Sequence, residues 1–264
     1  MPKLLSPDQV AQYETDGFVA PIRAFSPEVA ADIRAKLEAL EAAEGGPLSG
    51  TLRFKPHLLY RFLDEVVYDR QVLDVVEDVI GPNILCWSSS FFTKEARDAA
   101  FVSWHQDSTY WGLSEPKVTS AWIALTPSTR ANGCMRVIPG SHIGDQISHT
   151  DTHAPDNMLT RGQVIDAEID EGQAVDIELQ PGEMSLHHVR LVHGSEANTT
   201  DDRRIGFSIR YIPPDVYQTT RQRDSASLVR GVDNFDHFEH EPKPAADCHA
   251  DALAWHAKAT EIHS

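Results

Sequence analysis

His105 and Asp107 stand one residue apart in Trp104-His105-Gln106-Asp107-Ser108-Thr109-Tyr110-Trp111. On an extended strand, side chains at i and i+2 point to the same side, so an imidazole and a carboxylate converge there and can hold a metal ion. Two protein ligands hold a catalytic metal poorly, and the pattern asks for a third donor from elsewhere. His193, in Leu191-Val192-His193-Gly194-Ser195, is the candidate, with His187 and His188 as competitors just upstream. Two His and one carboxylate make the facial triad of non-haem Fe(II) oxygenases, which leaves coordination positions open. A plainer reading stands beside it, because a His-Asp hydrogen bond inside a core satisfies both groups.

Further motifs follow in order. Asn132-Gly133-Cys134-Met135-Arg136-Val137-Ile138-Pro139-Gly140-Ser141-His142 gives a turn and a strand. His193-Gly194-Ser195, Asn198 and Arg204 form a third block, with the Arg eleven residues beyond the His. Together with His105-Gln106-Asp107 and Tyr110-Trp111, these blocks resemble the phytanoyl-CoA dioxygenase family of Fe(II)- and 2-oxoglutarate-dependent oxygenases, over roughly residues 84 to 214. The resemblance implies that His105, Asp107 and His193 hold Fe(II), and it favours His193 over His187 and His188. It implies that 2-oxoglutarate chelates the iron and places its far carboxylate on Arg204, with Ser195 adding a hydroxyl and Trp122 standing beside the co-substrate. A guanidinium suits that task because it donates two parallel hydrogen bonds to one carboxylate. Arg203 points the opposite way if both lie on a strand. Tyr110 and Trp111 are expected to form one wall of the substrate pocket.

The activity implied is hydroxylation of an unactivated C–H bond of a small-molecule metabolite, with O₂ consumed and succinate and CO₂ released. Desaturation and ring formation are open to the same chemistry. Halogenating relatives lack the carboxylate ligand, and this chain keeps Asp107. Two readings from other classes stay open. A cupin-type zinc hydrolase or isomerase would use the two His and the Asp to acidify a bound water, and Arg204 has no role in it. A non-catalytic jelly roll would bind a small molecule only.

The elements that must position these residues show in the change of period. Ser6-Pro7-Asp8 and Ser26-Pro27-Glu28 are helix starts, predicting helices to about Asp16 and Ala43 around a short strand, Phe18 to Phe25. Helical patterns recur near Leu58 to Tyr68 and Asp69 to Ile80. From Ile84 the pattern is that of short strands: 84 to 92, 101 to 104, 118 to 125, 135 to 138, 174 to 179, 184 to 188 and 205 to 212. The fold class expected is mainly β with helical additions (α+β): a double-stranded β-helix, or jelly-roll, cupin-like core, with N-terminal helices packed outside. One domain is read over 1–264, with helical scaffold to residue 83, the core over 84–214 and an extension over 215–264. The segment 144–172, holding His149 and His153, reads as a long loop over the barrel mouth. The extension reads as irregular until a helix at 251–262 that buries Leu253, Trp255 and Ile262.

A net charge of −17 argues against nucleic acid or an anionic membrane as partner. The expected partner is a small molecule. No run is long enough to span a bilayer and the N-terminus lacks the apolar stretch of a signal peptide, so a cytoplasmic location is expected. Cys86, Cys134 and Cys248 lack paired spacing and read as thiols, the first two buried in strands. The oligomeric state is not legible.

Overall fold

The computed structural model describes residues 2–220 and 223–261. Helix α1 (Pro7–Asp16) opens on a capping box, Ser6 accepting from the Gln9 amide while the Gln9 side chain accepts from the Ser6 amide. Gly17, at φ 81°, closes it in the left-handed region. Strand β1 (Phe18–Arg23) follows, then α2 (Pro27–Glu44), α3 (Arg61–Val67) and α4 (Arg70–Ile80). The pattern from Leu58 is not one helix, because Pro56–Leu58 makes a separate 3₁₀ turn before α3.

The strands continue as β2 (Ile84–Lys94), β3 (Val102–His105), β4 (Thr119–Ala124), β5 (Met135–Val137), β6 (His149–Asp151), β7 (Gln163–Ile165) and β8 (Val175–Ile177). They end with β9 (Glu183–His188), β10 (His193–Ser195), β11 (Arg204–Ile212), β12 (Ser225–Arg230) and β13 (Glu239–His240), before helix α5 (Ala250–Glu261). A seven-stranded sheet runs β1-β9-β4-β11-β2-β12-β13, and a four-stranded sheet runs β3-β10-β5-β8. The two are the walls of a jelly roll.

Strand β11 shows why the core forms where it does. Ile205, Phe207, Ile209 and Tyr211 join Ile33 and Leu37 of α2, Leu63 of α3 and Val72 and Val76 of α4 in one apolar cluster. Their alternates, Arg204, Ser208 and Arg210, face the interior between the sheets. The helices therefore cover one face of the large sheet and leave the other for the site.

Both flanks of the central region add to this sheet, β1 on one edge and β12 with β13 on the other. The stretch after Pro214 is thus not irregular. It is tied down by a buried ion pair, Lys55 Nζ to Glu241 Oε1 at 2.5 Å, and Lys55 also donates to the Ser225 carbonyl. In α5 the buried residues are Ala252, His256, Ala259 and Thr260, whereas Leu253 is 47 % exposed and Trp255 half-buried. Ile262 lies outside the described residues. Within the supposed loop 144–172, β6 and β7 pair as an antiparallel ribbon. The three thiols are free; Cys86 is buried in β2, and Cys134 is buried in the turn before β5 rather than in a strand. Among the described residues, no helix is long and apolar enough to cross a membrane.

Candidate metal centre and co-substrate pocket

Strands β3 and β10 run antiparallel with His105 opposite His193, which brings the two rings to 4.1 Å between centroids. Asp107 follows directly. β3 ends at His105, Gln106 is still extended at φ −113° and ψ 131°, and Asp107, which opens a 3₁₀ turn over Asp107–Tyr110, has its carboxylate 3.3 Å from His105 Nε2. One ligand atom from each residue lies within 4.8 Å of the others.

The tautomers follow from the neighbours. His105 Nδ1 lies 2.9 Å from the Ser103 carbonyl, and His193 Nδ1 lies 2.9 Å from the Leu191 carbonyl. A carbonyl only accepts, so each ring donates from Nδ1 and keeps a lone pair on Nε2. Two such lone pairs and a carboxylate gathered in a buried place repel one another unless a cation sits among them. The donor set fits a divalent metal of the Fe(II) type. With no cation among them, the Asp107 carboxyl is held well below the usual range: burial works to raise it, and any proton taken up by the His105 and His193 rings, with Arg210 nearby, outweighs that, so Asp107 stays ionised as a ligand must. Burial drives His193 down to about 3, with His105 adding to the shift.

The turn between the ligands is held from outside. Gln106 donates its side-chain amide to the Arg190 carbonyl, and its side-chain oxygen accepts from Gln146 and from the Ile147 amide at 2.8 Å each. The Gln106 backbone N–H donates to His149 Nε2 at 2.9 Å. The 144–172 segment therefore buttresses the ligand turn through its first residues.

A cavity extends from the triad between the two sheets. At one end lies Arg204, 2 % exposed. Its Nη1 donates to the Gly133 carbonyl at 2.9 Å, its guanidinium lies 5.2 Å from the Trp122 ring, and its Nε has no partner among the described residues. Among the described residues no carboxylate lies within ion-pair distance of it. Burial pulls its pKa down to about 10, so a cation stands there without a counter-charge. Arg203, by contrast, points outward to Glu41 and Glu95. Trp122 lies flat over Gly206, where a Cβ would come within 1.9 Å of the indole.

Lys94, unforeseen from the sequence, sits opposite Arg204 in the β2–β11 register and donates to Ser195 Oγ at 2.8 Å and to the Glu196 carbonyl. Burial, with Arg204 adding, lowers its pKa to about 7. His187, weighed from the sequence as a competing ligand, and Arg210, not singled out there, also line the cavity. A signal existed: Arg204, Ser208 and Arg210 share one strand face. Tyr110 and Trp111 do not line this cavity. Tyr110 donates to Asp151 at 2.5 Å under the Arg161 guanidinium, and Trp111 packs on Trp87 and lines a neighbouring cavity with Ser108 and Gln146. His188 accepts from the Arg190 amide and packs on His142, away from the triad.

Comparison with known proteins gives a consistent picture. The family model described as phytanoyl-CoA dioxygenase (PhyH) matches residues 13–206. A structure of the non-heme monooxygenase ThoJ in its apo form is 35 % identical, with a TM-score of 0.85, over 96 % of this chain and 95 % of that one. CytC3 with Fe(II) and alpha-ketoglutarate is 25 % identical, with a TM-score of 0.66, over 91 % of this chain and 94 % of that one. A probable alpha-ketoglutarate-dependent hypophosphite dioxygenase of Stutzerimonas stutzeri is 28 % identical over 164 residues, 61 % of this chain and 57 % of the relative. The chain thus spans little more than half the length of that curated relative.

Proposed function

The chain belongs to the phytanoyl-CoA dioxygenase family, and from that premise we propose that it is an Fe(II)- and 2-oxoglutarate-dependent dioxygenase that hydroxylates an unactivated C–H bond of a small-molecule metabolite. The observation that carries this reading is a pair: three lone-pair donors, His105, Asp107 and His193, converge at a cavity whose far end holds Arg204 without a counter-ion. A zinc hydrolase uses the first feature and leaves the second without a purpose. A binding protein without catalysis has no use for a triad of this kind.

Under this reading His105, Asp107 and His193 hold Fe(II). Bound there, the metal with 2-oxoglutarate and O₂ supplies oxidative decarboxylation to succinate and CO₂ coupled to oxidation of the substrate. The chain's own residues position and exclude. Arg204 takes the far carboxylate of 2-oxoglutarate through its fork, Ser195 adds its hydroxyl, and Lys94 places a third donor beside them. Trp122 fixes the plane of the guanidinium by stacking. The Ser103 and Leu191 carbonyls orient the two imidazoles. A cytoplasmic location goes with this reading, since three free thiols suit a reducing compartment.

Anaerobic titration with Fe(II) and then 2-oxoglutarate tests it. The expected result is the weak visible charge-transfer band of the chelate in the wild type and its loss in Asp107→Ala. Tight Zn(II) binding with no band in the wild type would overturn the reading.

A further inference from the structure

Arg210 is the second guanidinium in the cavity and has no task in the scheme above. It lies on β11, six residues from Arg204 and on the same face, which places their backbone positions about 20 Å apart along the strand. The two ends differ in their surroundings. Arg204 stands beside Trp122 and the Gly133 carbonyl, whereas Arg210 lies on the Asp107 side and packs between the Phe92 and Trp111 rings at 5.6 and 5.8 Å. It is 8 % exposed. Its Nη1 donates to Ser90 Oγ at 2.6 Å, its Nε has no partner, and among the described residues no carboxylate lies within ion-pair distance. Near it on the cavity wall is His187, 3 % exposed, whose Nδ1 is also without a partner among the described residues.

A buried cation facing a cavity is costly unless an anion arrives to match it. With the metal, dianionic 2-oxoglutarate, Asp107 and Arg204 in place, their charges cancel one another. Two cations are left over: Lys94, which stays at the Arg204 end on Ser195, and Arg210, which has no anion at its own end. The cavity is thus a positive place in a chain of net charge −17, and at the end opposite Arg204 and Lys94 its charge is that of Arg210.

Resting on the oxygenase reading, we propose that Arg210, with the His187 ring beside it, is the anchor for an oxyanion of the primary substrate, a small carboxylate or phosphonate whose C–H bond is thereby held near the metal. The planar fork selects oxyanions over neutral polar groups. The Phe92 and Trp111 rings hold the guanidinium in plane, so that little order is lost on binding.

The test uses the full chain with Zn(II) and saturating 2-oxoglutarate, so that nothing turns over. N-acetylglycine, benzoate and methylphosphonate are titrated beside the neutral N-acetylglycinamide and benzamide, with binding read by saturation-transfer NMR and calorimetry. At least one anion is expected to bind the wild type while its amide does not, and Arg210→Met is expected to weaken that anion tenfold or more. Arg210→Lys, which keeps the charge without the fork, is expected to fall between, and it carries the test if Arg210→Met fails to fold. Equal binding of acid and amide, anion binding untouched in both variants, or no anion binding at millimolar concentration would each overturn the inference. The Fe(II)–2-oxoglutarate band of the wild type separates the two levels: its absence sinks the oxygenase reading, and its presence with failed anion binding sinks only the role of Arg210.

Discussion

Replacing Arg204 with Met tests the co-substrate assignment where it is most exposed to error. The substitution keeps a flexible chain against Trp122 and removes the fork. In the wild type the guanidinium gives its Nη1 to the Gly133 carbonyl and leaves its remaining donors to an incoming carboxylate. Hydrogen bonds to a charged group are worth about 1.5–3 kcal/mol each. Two would be lost, while Lys94 and Ser195 stay in place and recover part of the loss. The net comes to about 3 kcal/mol, or a loss of about 100-fold in 2-oxoglutarate affinity. The assay is the chelate band titrated with 2-oxoglutarate at fixed Fe(II), without oxygen. The unliganded protein should respond in the opposite sense. Because Arg204 is a buried cation with no counter-charge, removing it should leave the melting temperature unchanged or raise it, and 2-oxoglutarate should then no longer raise it further. An affinity change under about threefold, or a marked loss of melting temperature without ligand, would refute the claim that Arg204 is kept for an absent carboxylate.

Three further outcomes are expected. Gly206→Ala puts a methyl where the Trp122 indole lies, so the ring must leave the guanidinium, and 2-oxoglutarate affinity should fall about tenfold while Fe(II) binding, read by calorimetry, is kept. Lys94 has a pKa lowered to about 7 by burial and by Arg204; a bound dianion raises it, so binding takes up a proton, affinity weakens as pH rises from 7 to 9, and Lys94→Met should flatten that slope. Glu241→Gln leaves Lys55 buried without its counter-charge and should cost about 3–5 kcal/mol, seen as a fall in melting temperature of roughly 10 °C. Burial works to raise the Glu241 carboxyl, but Lys55 outweighs it and lowers it from 4.5 to about 2. The stability this gives is therefore present above about pH 4.5 and lost as pH falls toward 2, and the variant should lack that part of the acid transition.

The residues of the triad were legible because ligand chemistry restricts residue type and because the blocks follow one another at recognisable offsets. Alternation does bring Asp107 to the side of His105, because Gln106 between them is extended; what no local pattern shows is the 3₁₀ turn that Asp107 opens, which the Gln106 bonds to Gln146 and Ile147 hold. Such a turn depends on partners forty residues away and leaves no local period. The strands at 225–230 and 239–240 were missed for a related reason. Ser225-Ala226-Ser227-Leu228 carries little apolar character, and its burial comes from pairing with β2 and from the Lys55–Glu241 pair, both set by distant residues.

Strand β11 makes the limit sharper. Arg204-Ile205-Gly206-Phe207-Ser208-Ile209-Arg210-Tyr211 alternates with period two, and the strand was legible from that alone. In an antiparallel sheet such alternation ordinarily means one face in the core and the other in water. Here every residue of the strand is buried. What turns the polar face from a solvated surface into a site is the second sheet, β3-β10-β5-β8, laid over it. The covering also sets the energetics: an arginine that would be screened in water instead retains its full demand for an anion. The pattern of one strand therefore encodes both the packing that holds the fold and the charges that await ligands, and only the topology says which face does which.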